Sequence, residues 1–182
     1  MQFVKCLPGH DFKPFDCGDQ DLNEFLVQDA LVSYSELLTV TYIFEDDENI
    51  LTYFSLLNDK ITYEESELSN RKWKRFQLLF PPDKSYKSYP ALKIGRLAVN
   101  EQHKGQKTGT KLLEYIKGLF LETPNSGCRY ITVDAYSASV NFYRKNGFEF
   151  LTEEDEGKDT RLMYFDLKPF VETYQIAENE NI

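Results

Sequence analysis

The segment from residue 91 to residue 120 constrains the fold most, because its pattern changes from strand to helix across one polar loop. Ala91–Val99 is mostly apolar and predicts a buried strand, and residues 100–109 are polar with two glycines. Beyond them apolar residues recur at i, i+1, i+4, i+7 and i+8, namely Leu112, Leu113, Ile116, Leu119 and Phe120. That spacing predicts a helix with one buried face. A strand that leads through a loop into such a helix indicates an α/β fold.

The residues before this segment predict a helix and a hairpin. Apolar positions near helical spacing predict a helix over 19–34. Thr39–Glu45 and Ile50–Leu57 are rich in β-branched and aromatic residues, and the four polar residues between them predict a hairpin turn. Residues 64–90 contain prolines and read as irregular, with Pro90 as a stop before the next strand.

The residues after it predict three more strands and a short helix. Arg129–Tyr136 alternates like a strand, and Ser137–Asn146 reads as a helix that Gly147 ends as its C′ residue. Two further strands are predicted at Phe148–Thr152 and Arg161–Leu167. The whole order predicts an α/β sandwich with a mixed sheet.

Length and composition indicate one folded domain. The chain has 182 residues, of which 41% are hydrophobic and 15% aromatic. We expect a single domain over 1–174 and a flexible tail over 175–182. No apolar run approaches the ~18 residues of a membrane span, and the first residues lack the apolar core of a signal peptide, so we expect a cytoplasmic protein with no membrane partner. Three scattered cysteines and two histidines argue against a disulfide framework and against a metal site.

The charge distribution is uneven. Residues 1–62 carry 3 basic and 12 acidic residues, whereas residues 63–122 carry 12 basic and 7 acidic ones; the whole chain has a formal net charge of −9. A basic middle third fits either one anionic ligand or an ordinary solvated surface. The overall acidity disfavours general nucleic-acid binding, which needs a broad basic face.

The loop after the strand has the chemistry of a phosphate site. Residues 99–110 lead into a helix, whose first backbone N–H groups lack intrahelical acceptors and lie at the positive end of the helix dipole. Two glycines let the backbone approach a ligand, and Lys104, Lys107 and Lys111 add positive charge. A diphosphate suits this geometry. The segment matches neither a Walker A loop nor a dinucleotide fingerprint, so an ordinary strand-to-helix turn remains an alternative.

Two motifs carry a family resemblance. Gln102-x-x-Gly105-x-Lys107-x-Gly109, after Ile94–Val99, resembles the acetyl-CoA loop of the GNAT superfamily of N-acetyltransferases. Downstream, residues 141–148 (Asn-Phe-Tyr-Arg-Lys-Asn-Gly-Phe) resemble the second GNAT signature, in which a tyrosine precedes Gly-Phe by three residues. The resemblance covers at least 39–167 and implies a mixed, mostly antiparallel central sheet with helices on both faces. Lys107 departs from the family pattern, which prefers Gly or Ala there.

The resemblance implies acetyl-CoA as co-substrate, no metal, and direct attack of a primary amine on the thioester in a ternary complex. Tyr143 would donate a proton to the departing thiolate as general acid, unless it serves only to pack the core. A backbone N–H, at Val99, would stabilise the oxyanion. The implied cofactor-binding residues are Leu97, Ala98, Val99, Lys104, Gly105, Gln106, Lys107, Thr108, Gly109 and Thr110.

Several other side chains have open roles. No general base stands out, and the candidates by rough location are Glu64, Glu101 and Asp134. Cys128 lacks an activator nearby in sequence, so we expect it to pack in the interior. His103 lies within the phosphate loop, and we expect it in an exposed turn, whereas Arg96 precedes the implied site and is expected to face an acid across the sheet.

The N-terminus narrows the resemblance. Phe15-Asp16-Cys17-Gly18 followed by Leu22-Asn23-x-Phe25-Leu26 resembles the opening of toxin-type GNAT proteins, which acetylate aminoacyl-tRNA and pair with an antitoxin. The cluster Arg71–Arg75, with Trp73 at its centre, would then grip RNA phosphates and stack a base, or else be a solvated basic turn. Three functions stay open: an acetyltransferase for another amine, an aminoacyl-tRNA acetylating toxin, and a non-catalytic acyl-CoA-binding domain. A homodimer is compatible with each of them.

Overall fold

Seven strands lie in one sheet. The computed structural model describes residues 2–62, 73–74, 87–122 and 127–171. The strands are β1 (Gln2–Lys5), β2 (Val40–Glu45), β3 (Ile50–Thr62), β4 (Ser88–Val99), β5 (Tyr130–Tyr136), β6 (Glu149–Phe150) and β7 (Thr160–Asp166). Their order is β1-β2-β3-β4-β5-β7-β6, and β1–β2, β2–β3, β5–β7 and β6–β7 are antiparallel pairs. The predicted α/β fold with a mostly antiparallel sheet is confirmed.

The helices begin close to the residues that the sequence predicts. Four of them are α1 (Gln20–Glu24), α2 (Ala30–Ser35), α3 (Thr108–Glu122) and α4 (Val140–Lys145), with 3₁₀ turns at Glu101–His103 and Ser137–Ser139. Residues 167–171, directly after β7, are helical as well. Asp19 caps α1 by accepting a hydrogen bond from the Leu22 N–H at 3.2 Å. No helix in the described ranges is long and apolar enough to cross a membrane.

The described residues divide into two compact units. The first contains the residues up to Asn58 together with Ile94–Ile116, and the second contains Asp59–Lys93 and the residues from Lys117 onward, as far as they are described. The expectation of one domain over 1–174 therefore stays a prediction. The expected tail over 175–182 lies outside the described residues.

The core of the first unit forms around Tyr53. The Tyr53 hydroxyl donates to the Leu22 carbonyl at 2.7 Å, and its ring stacks on Phe25 with centroids 6.2 Å apart. The buried members of this core are Cys6, Cys17, Phe25, Leu26, Ala30, Ile43, Ile50, Tyr53 and Ala98. This core therefore places α1 against the sheet and, through Ala98, includes the end of β4.

A π-helical segment interrupts the predicted helix over 19–34. Phe25–Asp29 lies between α1 and α2, and the Ala30 N–H bonds to the Phe25 carbonyl, five residues back. Phe25, Leu26 and Ala30 are all buried, whereas Val27 is 53% exposed. The wider π-helical turn keeps these three side chains on one face of the segment, as a single-turn π-bulge inside an α-helix can do.

Three strands differ from the prediction by more than one residue, and β1 was not predicted. β3 runs to Thr62, five residues beyond the predicted end at Leu57. β4 begins at Ser88, so Pro90 lies inside the strand and is not a stop. Proline interrupts a strand only where its missing N–H is needed; Pro90 is exposed, and its carbonyl still accepts the Arg129 N–H at 3.3 Å. The strand predicted at Phe148–Thr152 is reduced to Glu149–Phe150, because the Gly147 turn and the 153–159 loop leave only two residues paired with β7.

Candidate active site

The loop from β4 to α3 leaves its first helical amides without an intrahelical acceptor. The first i→i−4 bond of α3 runs from the Lys111 N–H to the Lys107 carbonyl at 3.0 Å. The amides of Thr108, Gly109 and Thr110 precede it and point out of the helix end. The Thr108 hydroxyl donates to the His103 carbonyl at 3.0 Å, so it does not cap these amides. The helix start can therefore accept an anionic ligand.

Two residues of this loop are in the left-handed region. Gly105 has a φ of +78° and Lys107 a φ of +60°. A Cβ at Gly105 would meet no atom within 4 Å, so the space beside that backbone is open. Lys107 is exposed, and its Cβ makes the left-handed conformation costly. The motif that this loop resembles has glycine or alanine in place of this lysine, and of the two only glycine adopts this φ without strain.

Lys104 differs from the expectation for a phosphate ligand. Its backbone N–H donates to the Glu101 carbonyl at 3.2 Å, and its ammonium donates to the Cys17 carbonyl at 2.6 Å. Its ammonium also lies 3.5 Å from the Glu101 carboxylate. Lys104 therefore holds the loop to other parts of the first unit, and the donors left for a ligand begin after it.

The end of β4 is held firmly against β3. The Thr52 hydroxyl donates to the Ala98 carbonyl at 2.6 Å, and the Asn100 N–H donates to the Leu51 carbonyl at 2.9 Å. The Asn100 side chain also donates to the Ile50 carbonyl at 3.1 Å. Ala98 is 4% exposed, whereas Leu97 and Val99 on either side are half-buried. These contacts fix the backbone of the three strand residues for which we predict contact with a thioester.

Arg96 faces an acid, but the acid is not on a neighbouring strand as predicted. Its Nε lies 3.8 Å from the carboxylate of Asp21, which is on α1. Its guanidinium lies 4.8 Å from the centroid of the Phe25 ring, an arrangement that favours a cation–π contact. Asp21 and Phe25 are four residues apart, one on α1 and the other at the start of the π-helical segment, and both lie beside the Arg96 side chain. His103, in the 3₁₀ turn, is half-buried.

Tyr143 lies in an aromatic cluster in the second unit. It is 6% exposed, and its ring lies 5.1 Å from Phe142 and 5.3 Å from Phe148 by centroids. Burial raises the pKa of the Tyr143 phenol, so the side chain stays protonated at neutral pH. Gly147 ends the helix as predicted, with a φ of +86° and its N–H bonded to the Arg144 carbonyl at 3.1 Å. The phenol is thus able to donate a proton, but its raised pKa makes it a weaker acid than a free phenol.

A cavity of about 390 Å³ lies in the second unit. Its lining contains both charged and uncharged residues, namely Lys60, Ile61, Thr62, Asp134, Leu151, Thr152, Glu154, Asp155, Lys158, Thr160 and Leu162. Asp134 forms an ion pair with Lys93, and Asp155 accepts from Arg161 Nε and from the Leu162 N–H, each at 2.6 Å. Two of its carboxylates are thus already paired within the protein.

The three candidate bases have different outcomes. Asp134 lines the cavity, and Glu101 is bound to the ammonium of Lys104 in the loop. Glu64 lies outside the described residues.

Cys128 is half-buried rather than fully interior; burial raises the pKa of its thiol, and its Sγ donates to the Tyr130 carbonyl at 3.3 Å. Its thiol is therefore a poor nucleophile at neutral pH.

Trp73 is not available to stack a base. It is 7% exposed and packs against Tyr89 with ring centroids 5.3 Å apart. Both belong to the buried core of the second unit, which contains Ile61, Trp73, Tyr89, Ala91, Tyr130, Leu151 and Tyr164. The stacking role predicted for Trp73 is wrong, because an indole surrounded by a core gains more from apolar burial than from an exposed position. Of its basic neighbours, Lys74 is exposed, and Arg71, Lys72 and Arg75 lie outside the described residues.

The sequence reasoning missed the hydrogen bonds that tie the N-terminal motif to the loop. The Asp16 carbonyl accepts the Glu101 N–H at 2.9 Å, and the Asn23 side chain accepts the Cys17 N–H at 3.0 Å. The only signal in the sequence was the motif itself, without an indication of its partner.

Within the part of the chain that the structure describes, no three His, Cys, Asp or Glu side chains lie together in a way that would hold a metal ion.

Known proteins share both the sequence pattern and the fold. The family described as Acetyltransferase (GNAT) domain matches residues 39–150. A structure of the toxin AtaT complexed with acetyl-methionyl-tRNAfMet is 22% identical, with a TM-score of 0.72 over 95% of this chain and 99% of that one. A tyrosine-to-phenylalanine mutant of KacT is also 22% identical, with a TM-score of 0.71 over 96% and 99% of the two chains.

A third similar structure is that of a tyrosine-to-phenylalanine mutant of the AtaT toxin bound to the C-terminus of the antitoxin AtaR. It is 20% identical, with a TM-score of 0.72 over 95% of this chain and 96% of that one. The matched family segment contains the β4 strand, the loop, α3 and the Tyr143 helix. The chain therefore belongs to the GNAT acetyltransferase family.

Proposed function

We propose that this chain transfers the acetyl group of acetyl-CoA to a primary amine by direct attack within a ternary complex. The observation that carries the proposal is the loop before α3, whose helix start offers unbonded amides beside the open space at Gly105. A solved structure of AtaT with its antitoxin and acetyl-CoA, 19% identical and with a TM-score of 0.70, supports the choice of ligand. Acetyl-CoA supplies an activated acyl group and a thiolate leaving group.

The residues of the loop suit the diphosphate of this ligand. The residues that follow the anchored Lys104 would supply backbone N–H donors, namely Gly105, Gln106, Lys107, Thr108, Gly109 and Thr110. Lys107 and Lys111 are exposed at the same helix end and add positive charge. Donor amides at a helix start, with cations beside them, are the usual chemistry of a bound phosphate group.

The end of β4 would orient the thioester. Leu97, Ala98 and Val99 would bind the pantetheine arm through backbone groups, and the Val99 N–H would stabilise the negative charge that develops on the carbonyl oxygen. The hydrogen bond from Thr52 to the Ala98 carbonyl fixes this backbone before the ligand arrives. A donor that is already in place costs no reorganisation when the charge develops.

Tyr143 would act as the general acid. The neutral amine nitrogen forms a bond to the acetyl carbonyl carbon and then gives up its extra proton to water. The carbon–sulfur bond breaks, the thiolate takes the phenol proton, and the phenolate regains a proton from solvent. The phenol holds its proton at neutral pH, and because burial raises its pKa, proton transfer to the thiolate is more uphill than from a free phenol. Two mutants of the similar toxins were solved with a tyrosine changed to phenylalanine, which supports a special role for a tyrosine in those proteins.

The amino group of an aminoacyl-tRNA is the acceptor that we favour among specific classes. The support is the likeness over nearly the whole chain to AtaT solved with acetyl-methionyl-tRNAfMet, together with the N-terminal motif. An α-amino group has a pKa of about 8, so about a tenth to a fifth of it is neutral between about pH 7 and pH 7.4, and attack needs no strong base. The net charge of −9 and the burial of Trp73 oppose an RNA acceptor, so another primary amine is the second candidate.

Labelled acetyl-CoA offered with two acceptor pools distinguishes these candidates. One pool is charged total tRNA, and the other is a mixture of polyamines, amino acids and peptides. RNase-sensitive label in the first pool supports the tRNA acceptor, and label only in the second contradicts it. If acetyl-CoA binds and neither pool is labelled, a non-catalytic acyl-CoA-binding domain becomes the better account.

The tRNA candidate has two further consequences. It predicts growth arrest on expression of the protein in the cytoplasm, and it predicts a protein antitoxin that relieves the arrest. Co-expression with a gene adjacent to the one that encodes this protein checks the second point, and sedimentation of the purified protein checks whether it forms a homodimer. Growth that is unaffected by high expression would contradict the toxin function.

A further inference from the structure

The N-terminal motif lies directly against the loop that precedes α3. The Glu101 N–H donates to the Asp16 carbonyl at 2.9 Å, and the Lys104 ammonium donates to the Cys17 carbonyl at 2.6 Å. Gly18 has a φ of +75°, which favours glycine, and a Cβ there would lie 2.3 Å from the Glu101 carboxylate, so that exposed side chain would have to move. Three contacts thus connect residues that are more than 80 positions apart in the chain.

The motif is itself held rigid by Asn23 on α1. The Asp16 carboxylate accepts from the Gly18 N–H at 2.8 Å and from the Asn23 side-chain amide at 2.7 Å. The oxygen of the same Asn23 amide accepts the Cys17 N–H at 3.0 Å. Asn23 therefore both donates and accepts, and it fixes the turn that presents the two carbonyls to the loop.

The position of Lys104 determines where the left-handed part of the loop begins. Lys104 has φ −64° and ψ 151°, and the chain then enters Gly105 at φ +78° and Lys107 at φ +60° before α3. The left-handed conformation strains Lys107, and fixing Gly105 costs backbone entropy, so the loop needs a fixed starting point. The contacts of Lys104 with Cys17 and Glu101 supply that point.

We propose that Asp16, Asn23 and Lys104 are positioning residues for the diphosphate of acetyl-CoA: they set the loop conformation from which the amides after Lys104 bind that group. The proposal rests on the proposed function. It gives the N-terminal motif a role that involves no contact with the amine acceptor. None of the three residues takes part in the chemical step.

Binding of two thioesters tests the assignment. Acetyl-CoA contains the diphosphate, whereas S-acetylpantetheine contains only the arm and the acetyl group. Asn23→Ala should weaken acetyl-CoA about tenfold, the effect of losing about 1.4 kcal/mol of preorganisation. The affinity for S-acetylpantetheine should stay within about twofold, and kcat at saturating acetyl-CoA should be unchanged, since neither depends on the loop. A merely structural defect would weaken both ligands by the same factor.

A second variant and a matched control complete the experiment. Lys104→Met should show the same selective loss, and because the Lys104 side chain is 53% exposed, the variant should fold. Asn23→Ala changes no charge, so agreement between the two variants separates positioning from simple loss of a cation. Gln20→Ala is the control on α1, since the Gln20 amide bonds only outward to Glu24 at 2.6 Å, and it should bind both thioesters like the wild type.

The outcomes separate this assignment from the proposed function. Selective weakening of acetyl-CoA in both variants supports it. Equal weakening of both thioesters, or unchanged affinity for both, overturns it and leaves the proposed function intact. If the wild-type protein binds no acetyl-CoA, the proposed function fails and this assignment fails with it.

Discussion

Lys107 is the residue at which the structure makes its sharpest energetic prediction. Its φ of +60° is left-handed, and a residue with a Cβ pays about 1–2 kcal/mol for that conformation. Glycine avoids this cost but loses about 0.5–1 kcal/mol through the greater freedom of the unfolded chain. Lys107→Gly should therefore be more stable than Lys107→Ala by about 0.5–1 kcal/mol. Both variants remove the same charge, so their difference isolates the backbone.

The free energy of unfolding in urea measures this difference, and the melting temperature should rise by about 1–4 °C from Ala to Gly in a chain of this size. Leu37 repeats the test away from the loop, because it is 92% exposed with a φ of +59° at the end of α2. Leu37→Gly should likewise be more stable than Leu37→Ala. Gln106→Gly should instead be less stable than Gln106→Ala, since Gln106 is not among the left-handed residues. If Lys107→Gly were the less stable of its pair, the reasoning about the loop would be refuted.

Three other changes test the packing and the charges. Gly147→Ala should lower the free energy of unfolding by at least about 1–2 kcal/mol, because its φ is +86° and a Cβ would lie 3.0 Å from a Phe165 ring carbon; an unchanged urea midpoint would contradict this. Burial, with a smaller effect of a nearby carboxylate, raises the pKa of the Cys6 thiol to about 12. Stability should therefore be complete below about pH 8.5, where the unfolded thiol begins to ionise, and should fall as the pH rises above it. In Cys6→Ala the free energy of unfolding should decrease less steeply above that pH, and identical pH profiles for the variant and the wild type would contradict the link to the Cys6 thiol. Asp155→Ala should lower the free energy of unfolding, measured by thermal melting, by about 3 kcal/mol or more, because Asp155 is 8% exposed and accepts from Arg161 Nε at 2.6 Å. A change within experimental error would contradict a stabilising role for this ion pair.

Local patterns in the sequence predict the strand–loop–helix segment well. The helix that contains Leu112, Leu113 and Ile116 is present, because its apolar spacing is strong and all three side chains are buried. Gly147 ends α4 as predicted, since a left-handed C′ position is a local requirement. The π-helical segment was harder to predict, although the five-residue step from Leu26 to Leu31 hints at it.

Features that depend on distant partners could not be predicted in the same way. A tryptophan among basic residues suggests a nucleic-acid contact, and only the tertiary structure shows Trp73 packed against Tyr89. Lys104 reads as a phosphate ligand until its bond to the Cys17 carbonyl is known. In both cases the sequence gives the residue type, whereas the fold decides which partner that residue meets.

Single-turnover transfer from labelled acetyl-CoA, measured for the wild type and Tyr143→Phe side by side, tests the central claim most directly. The acceptors are the charged tRNA and the mixture of small amines together. The account predicts that the wild type transfers the label and that Tyr143→Phe binds acetyl-CoA equally well but transfers it at least about 100-fold more slowly. Equal transfer rates would contradict the role of Tyr143 as general acid. No transfer by a wild-type protein that has acetyl-CoA bound would contradict acetyl transfer itself.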